Sequence, residues 1–299
     1  MHNQTTIATT KSCPFYERSF GRSSLAVYNC DCILAMQRDM EPRSVDVVVT
    51  SPPYNLGVKY SKYDDGKPRP EYLDWISGWA HAVRAVLKDD GSLFLNIGSK
   101  PTDPWGPFEV LFRMRDHFQL QNVIHWVKSI AVDADEVGRD TEVSASLSVG
   151  HYKPINSRRF VNDCHEYIFH LTKSADVKLN RLAIGVKYQD KSNIARWKAS
   201  NGDLRCRGNT WFVPYKTIQS REKERPHPAT FPVKIPRMCI LLHGLDRAKL
   251  VVDPFLGIGH TAVACAELGV DFVGFEIDRE YFAESRKALD SALSGWTNR

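Results

Sequence analysis

Short apolar runs alternate along this chain with longer stretches in which apolar residues return every three or four positions. Val45 to Thr50 (VDVVVT) is a β-branched run of the kind that forms a strand buried on both faces. Tyr72, Leu73, Ile76, Trp79, Val83, Val86 and Leu87 follow at helical spacing. Asp89-Asp90-Gly91 is expected to stop that helix, and SLFLNI (92–97) reads as the next strand. A helix is predicted near Phe108 to His117, then strands at VIHWV (123–127) and HEYIFHL (165–171). Past Pro228 the pattern predicts a helix over 231–245, a strand from Leu250 to Asp253 and a helix over 259–268 closed by Gly269. A strand over 271–277 and a last helix from Arg279 to Leu293 complete the series. Strands alternating with helices predict an α/β fold, a doubly wound, mostly parallel, Rossmann-like sheet.

Two regions break the pattern. Residues 129–158 lack periodicity and read as a long loop or insertion, and 173–225 is irregular as well. The expected organisation is a flexible arm over 1–23, a first half of the main domain over 24–172, an inserted region over 173–225 and a second half over 226–299.

Composition is ordinary for a soluble globular chain, with 42% hydrophobic and 25% charged residues, which excludes a disordered or collagen-like protein. No apolar run reaches the ~18 residues that span a bilayer, and the polar start MHNQTTIATTKSCPF lacks a secretory core; a cytoplasmic location is expected. The seven cysteines are scattered with no CxxC pair, and Cys30-Asp31-Cys32 is not read as a metal site. Charge changes the picture through its distribution. The net charge is +5, but 173–225 holds 13 Lys and Arg against 5 Asp and Glu, so this segment alone is +8 and the remainder −3. A basic segment on a near-neutral body is the footprint of a polyanion, nucleic acid foremost.

Two constellations carry candidate chemistry. In the first, Leu250 to Asp278, a strand ends in Asp253-Pro254-Phe255, and Gly257, Gly259 and Ala262 complete a G-x-G-x-x-A loop leading into a helix. The next strand ends at Glu276, 23 residues after Asp253, where a carboxylate can accept from both hydroxyls of a ribose. Two cofactors suit this loop. A dinucleotide would set its pyrophosphate on the helix N-terminus, whereas S-adenosylmethionine would turn its cationic amino-acid end to Asp253. In the second constellation, Thr50-Ser51-Pro52-Pro53-Tyr54-Asn55 follows directly on a strand. Two prolines fix the backbone and remove two donors, Ser51 adds a hydroxyl and Tyr54 an aromatic face. Such a loop can accept hydrogen bonds from an exocyclic amino group and stack a planar base.

Together these motifs resemble the β-group of S-adenosylmethionine-dependent DNA amino-methyltransferases. In that family the catalytic (S/D/N)-P-P-(Y/F/W) element lies near the N-terminus, the cofactor motif near the C-terminus and the target-recognition region between them. SVDVVVTSPPYN, VVDPFLGIG and VGFEID match the catalytic, cofactor and ribose-binding elements; RPHPATFP (225–232) and Asn29-Cys30-Asp31-Cys32 match the two that flank the cofactor; HEYIFHLTK matches a further motif. His260 stands where the family often has a small hydroxyl residue, and Cys30 where it has glycine.

The resemblance implies a methyltransferase sheet with permuted motif order and an inserted recognition region. It implies S-adenosyl-L-methionine as cofactor and double-stranded DNA as partner. It also implies Ser51, Pro52, Pro53 and Tyr54 as catalytic residues. For the cofactor it implies Asp31, Cys32, Ser51, His227, Pro228, Ala229, Thr230, Phe231, Asp253, Pro254, Phe255, Gly257, Gly259, Glu276, Ile277 and Asp278. Ser-Pro-Pro-Tyr is typical of cytosine-N4 enzymes and Asp-Pro-Pro-Tyr of adenine-N6 enzymes, so N4 of cytosine is the expected target. The base would flip out, Tyr54 would stack on it, and Ser51 Oγ and the Pro52 carbonyl would accept its amino hydrogens, with direct transfer. Arg158, Arg159, Arg196, Lys198, Arg205 and Arg207 are the expected DNA contacts. No metal is expected. A prokaryotic, nucleoid-associated monomer or homodimer, paired with a restriction endonuclease acting on the same site, completes the implied picture. Residues 55–70 read either as a flap over the base pocket or as a plain connector.

Overall fold

The structure is a computed structural model; it describes residues 13–21, 23–58, 60, 62–135, 137, 145–150, 155–196, 202–214 and 230–297. Eleven strands are found there: β1 (Phe15–Phe20), β2 (Ser23–Tyr28), β3 (Val45–Thr50), β4 (Leu87–Ile97), β5 (Gln119–Val127), β6 (Ile130–Val132), β7 (Leu147–Val149), β8 (His165–Thr172), β9 (Thr210–Phe212), β10 (Leu250–Asp253) and β11 (Asp271–Phe275). The helices are α1 (Cys32–Asp39), α2 (Arg69–Val86), α3 (Gly106–Met114), α4 (Ser192–Arg196), α5 (Lys234–His243), α6 (His260–Leu268) and α7 (Arg279–Thr297).

Nine strands form one sheet in the order β1-β2-β11-β10-β3-β4-β8-β5-β9, with β6 and β7 as a separate hairpin. The run β2-β11-β10-β3-β4 is parallel throughout, β8 lies antiparallel between β4 and β5, and β9 is parallel to β5. Every residue of β3 is buried because helices cover both faces. Val48 packs with α1, α2 and α3, while Val47 and Val49 pack with α5, α6 and α7.

The chain leaves β3 for β4 on one side and β10 for β11 on the other, so the carboxyl ends of β3 and β10 flank a switch point where open α/β sheets bind ligands. The carboxyl end of β4, the amino end of β8 and the carboxyl end of β5 share this edge.

Three features depart from the expected picture or add to it. Phe15–Phe20 is an edge strand rather than part of a flexible arm; it pairs with β2, and Tyr16 and Arg18 bond Asp290 of α7. Asp89-Asp90-Gly91 falls within the bounds of β4, after the helix has ended at Val86; Leu87 pairs with Val45, the register then breaks, and continuous pairing resumes at Ser92 opposite Val47. Within the basic 173–225 region, Thr210–Phe212 adds an unexpected strand to the main sheet beside β5. Among the described residues, no helix is long and apolar enough to cross a membrane.

Candidate active site

At the switch point β10 ends in Asp253 and turns through Pro254 and Phe255 into the glycine loop. Gly259 closes that loop at φ 90°, a left-handed conformation that side-chain-bearing residues rarely adopt, and α6 begins at the next residue. Asp253 lies beneath this loop. Its Oδ1 accepts from Thr50 Oγ1 (2.7 Å) and Phe255 N (3.1 Å), and its Oδ2 from Thr261 Oγ1 (2.6 Å). The carboxylate therefore staples β3, β10 and α6 together. It is 1% exposed, and burial pushes its pKa up to about 6 against the hydrogen bonds of Thr261 and Thr50. The sequence expectation of an Asp253 offered at the mouth of the site is corrected here: three internal donors hold it below the surface.

Glu276, at the end of β11, plays the matching part on the other side. Oε2 accepts from Gly257 N and Oε1 from Asp278 N, both at 2.9 Å, and burial pushes its pKa up to about 7. Asn29 Nδ2 donates to the Glu276 carbonyl (2.8 Å), drawing the end of β2 in as well. Asp31 caps α1 by accepting from Ile33 N and Leu34 N (2.9 and 3.1 Å).

These turns line a cleft with about 1010 Å³ of space, counting the part open to solvent. Of the cofactor residues expected from sequence, Asp31, Cys32, Ser51, Thr230, Phe231, Pro254, Phe255, Gly257, Glu276, Ile277 and Asp278 line it. Asp253 and Gly259 support it from behind, and His227, Pro228 and Ala229 lie outside the described residues. Sequence reasoning missed one wall. Tyr60, Tyr63 and Trp75 face the cleft with Phe255; ring centroids are 5.1 Å apart for Tyr63–Trp75 and 5.4 Å for Trp75–Phe255. Aromatic faces attract cations. The Asn55-to-Pro70 connector supplies two of these rings. It is folded around the buried carboxylate of Asp65, which accepts from Asn55 N, Leu56 N and Val58 N at 2.8 to 3.0 Å. Lys62 is the one Lys or Arg among the described lining residues, a poor match to a pyrophosphate. His260 also lines the cleft, with Nδ1 2.6 Å from the Phe231 carbonyl.

The loop after β3 stands beside this cleft. Ser51 and Pro53 line it, whereas Pro52 is buried and Tyr54 lies towards β4 and β8. The Pro53 carbonyl accepts from Tyr72 Oη (2.9 Å), which ties the loop to α2. Tyr54 Oη is 2.7 Å from Ser51 Oγ, accepts from Asn96 Nδ2 (2.7 Å) and donates to Glu166 Oε2 (3.0 Å). Asn96 Nδ2 also reaches Glu166 Oε2 (2.8 Å), and Lys128 Nζ pairs with Glu166 Oε1 (3.0 Å). None of Asn96, Lys128 and Glu166 was expected from sequence. The available signal was a polar residue at the site end of an apolar run: Asn96 after LFL in β4, Glu166 before YIF in β8.

The expected DNA-contacting residues are spread more widely. Arg158 and Arg159 are exposed on the segment leading into β8, at the sheet edge that carries the site. Arg196 ends α4, and Arg205 is exposed and bridges Val186. Arg207 turns inward, donating through Nε to the Ile184 carbonyl (2.9 Å), so part of its guanidinium serves the fold. Lys198 lies outside the described residues.

Comparison with known proteins gives a consistent result. The N6/N4 DNA methylase family model matches residues 45–287. The type II methyltransferase M.BglII of Bacillus subtilis is 28% identical over 267 residues, which cover 85% of this chain and 66% of that protein, just under two thirds of its length. M.ScaI of Streptomyces caespitosus is 26% identical, with 90% of this chain and 81% of that protein covered. The solved PvuII DNA methyltransferase, described as cytosine-N4-specific, superposes with a TM-score of 0.60 at 21% identity, covering 90% of this chain and 89% of that one. A Thermus thermophilus protein, provisionally described as a DNA modification methylase and solved with S-adenosyl-L-methionine, gives 0.54 at 19% identity, covering 89% and 93%. At these identities the structures establish a shared methyltransferase fold.

Proposed function

The chain belongs to the N6/N4 DNA methylase family, and from that membership we propose that it methylates the N4 amino group of cytosine in duplex DNA, with S-adenosyl-L-methionine as methyl donor. The observation that carries the choice of base is Ser51. A neutral hydroxyl occupies the first position of the Pro-Pro-Tyr loop, where adenine-directed members of the resembling group typically carry Asp.

The cleft suits the donor. Glu276 offers lone pairs beyond those used by Gly257 and Asp278, as a ribose diol requires. The aromatic wall of Tyr63, Trp75 and Phe255 suits a cation without a phosphate. The bound donor supplies an electrophilic methyl group on a sulfonium. The protein's own part is to present the base. An exocyclic amino group is unreachable inside the stack, so the cytosine flips out. Tyr54 stacks on it, and Ser51 Oγ and the Pro52 carbonyl accept its amino hydrogens, turning the nitrogen lone pair to the cleft. Positioning and electrostatics supply most of the rate. The basic 173–225 region serves target recognition, and Arg158, Arg159, Arg196 and Arg205 bind the phosphate backbone.

The test is a nucleoside analysis. Unmethylated duplex DNA of varied sequence is incubated with the protein and labelled donor, digested, and the product identified by mass. N4-methylcytosine is expected. N6-methyladenine would overturn the choice of base, and the absence of any methylated nucleoside would overturn the reading as a whole.

Donor affinity should also depend on pH. Burial raises the pKa of Asp253 to about 6 and that of Glu276 to about 7, so both lose charge as pH falls through this range. A cationic ligand favours the ionised forms; its dissociation constant, measured calorimetrically, is expected to rise as pH falls from 8 to 5.5. Glu276→Gln should flatten the upper part of that profile. On stability the sign is opposite. A carboxyl whose folded pKa is raised favours folding below the ordinary carboxylate range, about 4, and that contribution is lost as pH rises to about 7.

A further inference from the structure

The hydrogen bonds around Tyr54 have a direction. Asn96 Nδ2 donates to Tyr54 Oη at 2.7 Å, and the Glu166 carboxylate, 3.0 Å from the same oxygen, can only accept. Tyr54 has one hydroxyl proton, and it points to Glu166. The 2.7 Å contact between Ser51 Oγ and Tyr54 Oη must then be donated by Ser51. With its own proton committed to Tyr54, Ser51 meets the cleft it lines as an acceptor. The chain runs Ser51 O–H to Tyr54 O–H to Glu166, and Lys128 Nζ anchors the far carboxylate oxygen at 3.0 Å. The geometry is built rather than incidental. Gly98 passes so close that a Cβ there would stand 2.9 Å from Glu166 Cγ and 3.2 Å from Tyr54 Cε2, so a larger residue would push the two side chains from their places.

We propose that Glu166 is a positioning residue for methyl transfer, acting on the target amino group through Tyr54 and Ser51 as the end of a proton relay. The proposal rests on the amino-methyltransferase reading above. When the amino nitrogen commits its lone pair to the new N–C bond, and the donor sulfur keeps the electron pair of the broken S–C bond, the nitrogen gains a positive charge and holds one proton too many. That proton passes to Ser51 Oγ, the serine proton to Tyr54 Oη and the phenol proton to Glu166 Oε2. Serine and tyrosine end unchanged, and the carboxylate ends as a carboxylic acid. Before the proton moves, the anionic terminus strengthens the acceptor character of Ser51 as charge develops on the nitrogen. This is why the relay affects the rate of transfer itself. A serine alone is a poor base; a serine hydrogen-bonded through a phenol to a carboxylate is a better one.

The test is single-turnover methylation of duplex DNA by the full chain, in H2O and D2O, for the wild type and for Tyr54→Phe, Glu166→Gln and the double variant. Tyr54→Phe keeps the stacking ring and removes only the hydroxyl, so it carries the test even if Glu166→Gln folds poorly. Each single variant is expected to slow transfer by roughly a hundredfold, the lower end of the range for a lost proton-transfer partner. Donor dissociation constant and base flipping, read by 2-aminopurine fluorescence, should stay as in the wild type. The double variant should be no slower than the slower single, and the wild-type solvent isotope effect should vanish in all three. Wild-type rates in Tyr54→Phe, or defects that multiply in the double variant, would overturn the relay while methylated product from the wild type leaves the amino-methyltransferase reading standing. Absence of product from the wild type would remove both.

Discussion

Tyr54→Ala is expected to reduce methyl transfer at least a hundredfold, the scale that misplacing a reacting group costs, while leaving donor binding intact. Two losses combine in this one substitution. The ring that would stack on the extruded base disappears, and so does the hydroxyl that joins Ser51, Asn96 and Glu166. Tyr54 does not line the donor cleft, so the donor dissociation constant should not move. Rapid-quench transfer assays with calorimetric donor titration separate the two quantities. An alanine variant that still transfers at wild-type rate would remove Tyr54 from the mechanism. Comparison with Tyr54→Phe then divides the ring's share from that of the hydroxyl.

Asp253→Ala is expected to damage both stability and donor affinity. Two buried donors, the Thr50 and Thr261 hydroxyls, and the half-buried Phe255 N–H lose their acceptor. Each buried group left unpaired costs about 1–3 kcal/mol, so the melting midpoint should fall by several degrees. The glycine loop is held to β3 by the same carboxylate, and its loosening should weaken donor binding at least tenfold. Asp253→Asn separates the contributions. The amide oxygen still accepts, and the threonine hydroxyl facing the amide nitrogen can rotate to accept in turn. This variant should fold nearly as well as the wild type, so any loss of affinity it shows reports the missing charge. Unchanged affinity in both variants would show that Asp253 serves neither loop nor ligand.

The central fold was legible because its signals are backbone signals. Val45–Thr50 and Leu250–Asp253 are apolar runs that end in proline or glycine turns, and both ends lie at the site. Asp31 was legible as a residue that lines the cleft, whereas its second part, capping α1, was not read although Asp before an apolar stretch is equally a helix cap. β1 was missed because six mostly exposed residues without a clear apolar period resemble the end of an arm. The network of Asn96, Lys128 and Glu166 could not be read from spacing. Asn96 lies on β4, Glu166 on β8 and Lys128 just past β5, up to 70 residues apart in the chain, and they meet because β8 runs antiparallel between β4 and β5. The aromatic wall was hidden for a related reason. Trp75 was read as part of a helix and Tyr60 and Tyr63 as part of a connector, and only the turn around Asp65 brings them to one side.

The pairing of β3 with β10 also bears on how the molecule comes into being. Thr50 and Asp253, hydrogen-bonded across the two strands that meet at the switch point, are 203 positions apart. β2 and β11 are joined over a similar span, Leu25 facing Phe272. The middle of the sheet is thus closed by contacts of very high sequence separation, the kind that form late and slowly. During synthesis the first 200 residues emerge without the strands that complete either side of the cleft. A nascent or prematurely ended chain lacking β10 and β11 holds its Ser-Pro-Pro-Tyr loop but lacks the strand ends that shape the cleft beside it, so on the proposed function methyl transfer would have to wait for those last two strands.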